Sequence, residues 1–494
     1  MPEGPAYAAI DLGAETGRVV RGRFDGERVS LDVVHRFANR PVQLPDGLRW
    51  NLLALFTEAL DGLARAVADG TLRGVGVDAW GVDYALLDAD HRVLGLPFHY
   101  RDGRTEGMVA RAHTRVPREK LYAVTGIQTM PINTAFQLLA DEGSPALASA
   151  RRIALVPDLF ALWLTGELRN EATAASTTGL LDARTGQWAR ELIARLWLPE
   201  APFAGATTEP GTTIGPVLDH HAGIAGVPVH AIGGHDTASA FAAAPLRDGE
   251  RAAILSSGTW SLLGLELREP ELGSRACAYN LTNERGVEGT IRLLRNVMGL
   301  WLVQECRRQW EAEYGEIFRA AADAPGDVAL FDPDADVFVA PGDMPARIVG
   351  ACRERGQEPP ATPGEIVCSA LVSLACKYRL VLERLERVTG RDVDVVHVIG
   401  GGAQAELLCR LTADVLGRRV LAGPVEATAL GNVLMQARAS GELGSLHEIR
   451  AVAAASAEPT EYEPAADRAA AEETYERFLA VTGLAMDEPA AVDA

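Results

Sequence analysis

The stretch YAAIDLGAETGRVVRGRF, residues 7–24, decides the fold of this chain. Apolar runs on both sides of Gly13 and Gly17 predict a strand, a tight turn and a second strand. RAAILSSGTWSLLGLEL, residues 251–267, repeats this order, and an Ala-Ala-Ile sequence precedes the turn in both stretches. The repetition indicates two related α/β lobes. Glycines are common in hairpins, so an accidental likeness of two turns is the alternative interpretation.

Strand and helix patterns alternate between these stretches. A strand is predicted over residues 29–37, and a helix follows Asn51 as its N-cap and stops at Gly70. A buried strand then leads to DAWG, and a strand followed by a helix is predicted within IALVPDLFALWLTGE, residues 153–167. Such alternation is typical of α/β folds.

The second half continues the same alternation. Residues 395–420 predict a strand, a glycine turn and an amphipathic helix whose apolar side is marked by Leu407, Leu408, Leu411 and Val415. The tail predicts one more helix, over residues 466–481, and a loose end at residues 486–494. We place the first lobe at residues 1–243 and the second at residues 244–494, with a cleft between them.

Composition excludes several classes of partner. The chain has 494 residues, of which 48% are hydrophobic and 23% charged, as in soluble globular proteins with more than one core. Its net charge of -20 argues against binding nucleic acid or an anionic membrane. It contains no apolar run of about 18 residues. Because its start has neither a basic region nor an apolar core, we expect a cytoplasmic protein.

The six cysteines carry no recognisable motif. They form no CxxC pair and no Cys/His spacing suited to a metal, so free thiols of a cytosolic protein are expected. Cys352 and Cys368 flank a proline-rich segment, and the sequence leaves open whether they pair.

The segment GGHDTASA, residues 233–240, carries the strongest candidate for catalysis. Asp236 follows two glycines and the apolar run 227–232, and a carboxylate at a strand end can accept a hydroxyl proton. Phosphoryl transfer depends mostly on positioning and charge neutralisation, with one group to hold the attacking hydroxyl. The alternative role for Asp236 is to cap a helix that begins at Thr237; the two roles are compatible.

The first turn has the features of a phosphate site. Its N–H groups and the Thr16 hydroxyl are suited to an anion, and Arg18 is long enough to contact a phosphate oxygen. Asp11, at the end of the first strand, is a candidate ligand for Mg²⁺. Glu15 fits less easily, because a carboxylate repels a polyphosphate unless it points away. An ordinary hairpin is the alternative.

Two further segments complete a nucleotide site. The turn Ser256–Thr259 supplies hydroxyl and backbone donors, with Thr259 facing the phosphates from the opposite lobe. Gly400, Gly401 and Gly402 lie between a strand and a helix, where a flat adenosine can rest on the backbone and the helix dipole is favourable. The chain has no P-loop, no dinucleotide-binding fingerprint and no protein-kinase motif set.

A polyol site is predicted around Asp78, Trp80, Gly81 and Asp83. Carboxylates suit sugar hydroxyls and an indole suits the apolar side of a sugar, although Trp80 as a core residue is the alternative. Asn296 is predicted at the start of an apolar helix, with Gln304 two turns further along it. This pattern leaves capping and binding equally open for Asn296.

Together these motifs resemble the FGGY family of carbohydrate kinases, and within it the kinases of L-rhamnulose. The matching segments follow the family's order from Asp11 to Asn432: DLGAETGRV, DAWGVDYALLD, GLPFHYRDGRT, GGHDTASAFAA, LSSGTWSLLG, LRNVMGLWLVQE, VIGGGAQ and LAGPVEATALGN. The resemblance implies two actin/Hsp70-like lobes. It also implies transfer of the ATP γ-phosphate to the 1-hydroxyl of L-rhamnulose with Mg²⁺, in the cytoplasm, as part of L-rhamnose breakdown.

The resemblance also implies roles for single positions. Asp236 matches the catalytic base. The sugar-binding positions are matched by Gly81, His235, Thr237 and Asn296. The ATP-binding positions are matched by Ala14, Glu15, Thr16, Gly17, Arg18, Thr259, Gln304 and Gly402. The family implies that the lobes close on the sugar and so exclude water.

Three alternatives stay open at this point. The first keeps the chemistry but changes the ketose to L-fuculose or L-xylulose. The second is an ATPase switch protein without a sugar substrate, against which the predicted polyol site argues. The third is an inactive sugar sensor, which the intact phosphate turns and Asp236 disfavour. We expect a monomer or a weak homodimer.

Overall fold

Two β-sheets covered by helices organise the chain. The computed structural model describes residues 4–68, 70–221 and 223–485. Its strands are Ala6–Leu12 (β1), Thr16–Phe24 (β2), Val29–Ala38 (β3), Val42–Leu44 (β4), Gly47–Arg49 (β5), Gly74–Ala79 (β6), Tyr84–Leu87 (β7), Arg152–Leu155 (β8), Thr212–Pro216 (β9), Pro228–Ala231 (β10), Ala252–Ser257 (β11), Trp260–Leu267 (β12), Thr282–Arg285 (β13), Ile291–Met298 (β14), Val395–Ile399 (β15), Arg419–Ala422 (β16) and Thr460–Tyr462 (β17).

The helices lie on the faces of the two sheets and between them. They are Leu52–Ala68 (α1), Met108–Arg115 (α2), Arg118–Thr125 (α3), Thr134–Ala140 (α4), Pro145–Ser149 (α5), Val156–Thr165 (α6), Ala172–Ser176 (α7), Arg190–Arg195 (α8), Asp236–Ala242 (α9), Ser274–Ala278 (α10), Trp301–Trp310 (α11), Tyr314–Ala322 (α12), Met344–Glu354 (α13), Pro363–Thr389 (α14), Glu406–Leu416 (α15), Ala427–Ala439 (α16), Leu446–Ser456 (α17) and Ala469–Thr482 (α18). Within the described ranges, no helix is both long and apolar enough to span a membrane.

The two large sheets follow one plan of strand pairing. Over the described residues, the first has six strands in the order β3-β2-β1-β6-β10-β9 and the second has seven in the order β13-β14-β12-β11-β15-β16-β17. The hairpins β1–β2 and β11–β12 are antiparallel, whereas β1–β6 and β11–β15 are parallel. Both predicted strand–turn–strand stretches are therefore hairpins at equivalent positions, and the interpretation as related lobes is confirmed.

Local sequence signals account for several boundaries. The Asn51 side chain accepts a hydrogen bond from the Ala54 N–H (3.4 Å), as expected for the start of α1. The long helix α14 begins with a capping box formed by Thr362 and Glu365 and ends at Gly390, whose φ is 67°. In α15, Leu408 and Val415 are buried as the apolar pattern predicted.

One predicted helix is wrong at its start. Asn296 lies inside strand β14, which pairs with β12 from Ile291 to Met298, and α11 begins only at Trp301. The spacing of apolar residues before Gly299 fits either a helix or a strand. The segment is a strand because it pairs with β12 along its whole length. Gln304 consequently lies in the first turn of α11, not two turns beyond Asn296.

The end of the chain matches its prediction in part. Helix α18 begins at Ala469 and ends at Thr482, against a predicted span of residues 466–481. The segment expected to be loose, residues 486–494, lies outside the described residues. All six cysteines are buried and free, so Cys352 and Cys368 do not pair.

Helix α16, from the second half of the sequence, packs on the sheet of the first lobe. It contacts β1, β6 and α9. A Cβ on Gly431 would overlap the backbone of Ser239 in α9, and one on Gly76 would overlap the Asn432 side chain, so both positions need glycine. The apolar core beneath the first sheet includes Val433 and Leu434 of this helix. The chain therefore passes between the two lobes more than once.

Candidate active site

A cleft of about 330 Å³ lies between the two sheets, at the ends of their central strands. The turn after β1 and the turn after β11 face each other across it. Its lining residues come from both lobes: Asp11, Gly13, Ala14, Thr16, Arg18, Trp80, Gly81, Val82, Tyr100, Met130, Ile132, Asn133, Thr177, His235, Asp236, Thr237, Ser256, Ser257, Gly258, Thr259, Trp260, Leu262, Glu284, Asn296, Gln304, Gly400, Gly401 and Thr428.

Most of the site residues predicted from the sequence meet in this cleft. Those that line it are Asp11, Ala14, Thr16, Arg18, Trp80, Gly81, His235, Asp236, Thr237, Thr259, Asn296 and Gln304. Four others, Asp78, Glu15, Gly17 and Gly402, do not line it, and the positions of these four are described below.

Asp236 is the first residue of α9, with His235 at the N-cap position. Its Oδ1 accepts hydrogen bonds from the Thr237 N–H (2.5 Å) and the Thr237 hydroxyl (3.0 Å). Burial raises the pKa of Asp236, and the neighbouring Asp11 adds to this shift. Within the described ranges Oδ2 has no hydrogen-bond partner, so this oxygen is free to accept a proton from a ligand.

The loop before Asp236 is held by Glu171. Its carboxylate accepts a hydrogen bond from the Gly234 N–H (3.0 Å), and the Thr173 hydroxyl accepts one from the His235 N–H (3.1 Å). A Cβ on Gly233 would lie 2.7 Å from the Ser239 nitrogen. The two glycines therefore serve close packing within the protein, and neither lines the cleft.

Arg18 and Asp11 form an ion pair at the first turn. Arg18 Nε and Nη2 lie 2.8 and 2.6 Å from Asp11 Oδ2, and Nη1 lies 2.6 Å from Glu426 Oε2. Burial alone would lower the pKa of Arg18, but the two carboxylates raise it above its ordinary value. The guanidinium therefore stays charged. It supplies the local positive charge that this acidic chain needs if phosphate is to bind here.

Asp78 is buried beside this pair and does not contact the cleft. It is fully buried, and its Oδ2 accepts a hydrogen bond from the Asn432 amide (2.5 Å) of α16. Burial and the neighbouring Asp11 raise the pKa of Asp78 well above its ordinary value. Asp78 therefore lies behind the lining of the cleft, on a central strand with every residue buried, and its contact with a sugar stays a prediction.

Three predicted ATP contacts also lie behind the lining. The Glu15 carboxylate turns away from the turn and lies 3.1 Å from Arg308 Nη2, which removes the repulsion expected near a phosphate. A Cβ on Gly17 would overlap the Phe37 ring, and one on Gly402 would overlap the Ser257 side chain. Both glycines are required for close packing, while Gly400 and Gly401 face the cleft.

Trp80 is fixed in the wall of the cleft by Asp83. Asp83 Oδ2 accepts hydrogen bonds from the indoles of Trp50 (2.5 Å) and Trp80 (3.0 Å) and from the Tyr100 N–H (3.2 Å). Its Oδ1 accepts one from the Gln137 amide (2.8 Å). Burial raises the pKa of Asp83 to about 6, and the hydrogen bonds limit the rise. Asp83 thus supports the wall of the site from behind.

Replacing Asp83 by Asn should weaken both the fold and sugar binding. An amide has one acceptor oxygen, so its NH₂ group would face the Gln137 donor, and an unpaired buried donor costs ~1–3 kcal/mol. Denaturant unfolding should show this loss, and KM for the sugar should rise several-fold because Trp80 and Tyr100 shift. Asp90→Asn, at a carboxylate with 72% of its side chain exposed, is the control and should change neither quantity. An unchanged KM for the sugar would show that Trp80 does not contribute to sugar binding.

Three features of the site were not predicted from the sequence: the backbone of Val82, the contact of Gln128 with Asn296, and Glu284. Val82 has a φ of 67°, which is rare for a β-branched residue, and its N–H is held by the Thr177 hydroxyl (3.0 Å). Gln128 holds Asn296: its amide oxygen accepts a hydrogen bond from the Asn296 side chain (3.2 Å). Glu284, on the edge strand β13, also lines the cleft.

The comparisons with known proteins agree with this arrangement. The models of the N-terminal and C-terminal domains of the FGGY family of carbohydrate kinases match residues 7–242 and 253–440. The chain is 39% identical over 479 residues to the rhamnulokinase of Bacteroides thetaiotaomicron, which covers 96% of this chain and 98% of that protein. It is 40% identical over 455 residues to the rhamnulokinase of Enterococcus faecalis, with coverage of 90% and 91%.

A solved structure shows the same fold. The Plasmodium falciparum glycerol kinase structure with ADP superposes with a TM-score of 0.76 at 15% identity, covering 96% of this chain and 97% of that chain. The expected fold, two actin/Hsp70-like α/β lobes with a cleft between them, is therefore confirmed. Because the family models match most of its length, the chain belongs to the FGGY family of carbohydrate kinases.

Proposed function

We propose that this kinase transfers the γ-phosphoryl group of ATP to the 1-hydroxyl of L-rhamnulose, giving L-rhamnulose 1-phosphate and ADP. The observation that carries the choice of sugar is the identity of 39–40% to two proteins named rhamnulokinase, over at least nine-tenths of each chain. The cleft supports the reaction, because it brings a free carboxylate oxygen of Asp236 to the same cavity as both phosphate turns.

The chemistry follows from the position of Asp236. The sugar hydroxyl oxygen forms a bond to the γ-phosphorus, the bond from that phosphorus to the β,γ-bridging oxygen breaks, and ADP leaves. Asp236 Oδ2 accepts the hydroxyl proton. Its raised pKa makes it a better proton acceptor than an exposed aspartate. Arg18 and the donors of the two turns then stabilise the charge that develops on the transferred group.

The residues present fit a Mg²⁺ ion brought in with ATP. Within the described ranges, no cluster of three or more His, Cys, Asp or Glu is arranged to hold a metal. Mg²⁺ in phosphoryl-transfer sites commonly needs only one or two carboxylates besides phosphate oxygens and water. Asp11 lines the cleft, and its recorded contacts are all at Oδ2. Asp11 would hold the ion, which neutralises phosphate charge when bound.

An unpaired atom supports a nucleotide at the other end of the cleft. Gln304 Oε1 is buried, and in the described part of the chain it has no hydrogen-bond partner. Buried acceptors are rarely left without a donor, so a hydroxyl or amino group of a ligand is the natural partner. We assign this end to adenosine, with Gly400 and Gly401 beneath it.

Sugar-dependent release of ADP tests the function. With ATP and Mg²⁺, kcat/KM for L-rhamnulose should exceed that for L-fuculose and L-xylulose by ~10-fold or more, because a misplaced hydroxyl leaves polar groups of the site unpaired. Higher activity on another ketose would keep the reaction and change the substrate. ATP turnover independent of every sugar would overturn the proposal and favour a switch protein.

The location, the oligomeric state and the lobe boundary of the enzyme are also proposals. We infer a cytoplasmic enzyme, a monomer or weak homodimer, whose lobes divide at residues 243 and 244. The family models, which end and begin on either side of that point, support the division. Gel filtration with light scattering measures the oligomeric state.

A further inference from the structure

A buried charge cluster joins the two lobes behind Asp236. Glu284 and Arg292 lie on β13 and β14 of the second lobe, whereas His235 and Phe241 belong to the first. Arg292 Nη2 donates to Glu284 Oε2 (3.0 Å) and to His235 Nδ1 (3.1 Å), and the guanidinium lies 5.5 Å from the centre of the Phe241 ring. Arg292 is fully buried, so the second lobe places a positive side chain at the boundary with the first.

The contact with Arg292 fixes the proton on the His235 ring. Guanidinium nitrogens only donate hydrogen bonds, so Nδ1 must present its lone pair, and the proton of the neutral ring lies on Nε2. Nε2 is 3.4 Å from Asp236 Oδ1. Glu284 Oε2 also lies 3.2 Å from Nδ1. Both atoms accept a hydrogen bond from the same donor, Arg292 Nη2. Burial alone would raise the pKa of Glu284, yet Arg292 lowers it to about 2 and keeps the carboxylate ionised.

The consequence concerns the orientation of the Asp236 carboxylate. With the proton on Nε2, every group facing Oδ1 is a donor: the Thr237 N–H, the Thr237 hydroxyl and the imidazole. Oδ2 is left for the sugar hydroxyl. Without Arg292, Nδ1 would take the proton and donate to Glu284. The Nε2 lone pair would then face Oδ1 and repel it.

We propose that Arg292 is a positioning residue that crosses the boundary between the lobes behind the cleft and sets the tautomer of His235, and thereby the orientation of the catalytic carboxylate of Asp236. The link to catalysis rests on the proposed function. The tautomer itself does not, because it follows from the contacts of Arg292 alone. Since Arg292 comes from the opposite lobe, the Asp236 carboxylate is oriented in this way only when the lobes are in contact.

Nitrogen NMR of protein labelled with ¹⁵N-histidine tests the tautomer in the unmodified chain. The His235 signals are assigned by their loss in His235→Gln, and we expect the pattern of a ring protonated at Nε2. Arg292→Met should move the proton toward Nδ1, and Arg292→Lys, which keeps a charged donor, should restore Nε2. A ring protonated at Nδ1 in the unmodified protein would overturn the proposal, whether or not any variant folds.

A double-mutant cycle tests the link to catalysis. Arg292→Met should lower kcat ~10–100-fold, a part of what general-base catalysis contributes. In His235→Gln, the side-chain amide supplies a donor that does not depend on Arg292, so adding Arg292→Met should change kcat by no more than ~2-fold. Equal losses in both backgrounds would mean that Arg292 acts only through packing or its charge, and the proposal would fail.

The two hypotheses fail in different ways. If the unmodified protein shows no sugar-dependent ADP release, the proposed function is wrong, and the NMR result still decides the role of Arg292 at His235. If ADP release is normal and the tautomer does not respond to Arg292→Met, the function stands and the positioning role is wrong.

Discussion

Asp236→Asn should lower kcat by ~10²–10⁴-fold, the range that a positioned general base contributes. The amide keeps the shape of the side chain, and its oxygen can still accept from the Thr237 N–H and hydroxyl, which hold Oδ1. Its NH₂ group, however, would occupy the place of Oδ2 and has no lone pair for a proton. KM for ATP and for the sugar should therefore stay within ~3-fold, since the loss falls on the chemical step. Steady-state kinetics with both substrates measures this.

The matched control is Asp248→Asn, the same chemical change at a carboxylate with 85% of its side chain exposed. It should leave kcat, KM and thermal stability unchanged. Asp236→Asn with near-normal turnover would remove Asp236 from its role as base. A fall in kcat that follows the loss of folded protein would show that the carboxylate stabilises the start of α9 through its hydrogen bonds to Thr237 and does not transfer the proton.

The pH dependence of kcat provides an independent check on the same residue. Asp236 accepts a proton only when ionised, so activity is lost as pH falls through its folded pKa. Burial raises that pKa, with a further contribution from Asp11. The acid limb of kcat should therefore have its midpoint above ~4, the ordinary value for aspartate. The limb should disappear from the residual activity of Asp236→Asn, and a limb that persists there belongs to another group.

The fold could be predicted because its main signals are local. Each central hairpin shows a turn between two apolar runs, and α1 and α14 begin at residues able to cap them. The error at Asn296 arose where the pattern is ambiguous. The run from Ile291 to Met298 is apolar enough to be buried in either structure, and only pairing with β12 decides for a strand.

The site could be predicted as a set of segments but not as a set of contacts. Asp236 and the two turns were predicted because each follows an apolar run that forms a strand. Gln128 was missed because its partner, Asn296, is 168 positions away. Arg292 was missed because it resembles any polar residue on a strand until the opposite lobe is in place. The depth of a residue in the sheet, which excludes Asp78 from the cleft, is likewise a tertiary property.

The glycine turn after β15 carries the second large expected effect. Gly402→Val should raise KM for ATP by ~10-fold or more, about 1.4 kcal/mol of binding, while KM for the sugar stays within ~2-fold. The reason is an overlap: a Cβ at Gly402 would enter the Ser257 side chain and lies 3.0 Å from the Ser257 carbonyl oxygen. Ser257 lines the cleft at the end of β11, so relief of this overlap shifts the turn that faces the phosphates.

Gly401→Val separates packing from contact with the nucleotide. A Cβ at Gly401 meets no atom within 4 Å among the described residues, yet Gly401 faces the cleft. This variant should keep the thermal stability of the unmodified protein, whereas Gly402→Val should lose ~1–3 kcal/mol through overpacking. If adenosine rests on this turn, Gly401→Val raises KM for ATP without any loss of stability, because the new side chain occupies the space of the ligand. If KM for ATP is unchanged in both variants, the adenosine site lies elsewhere in the cleft.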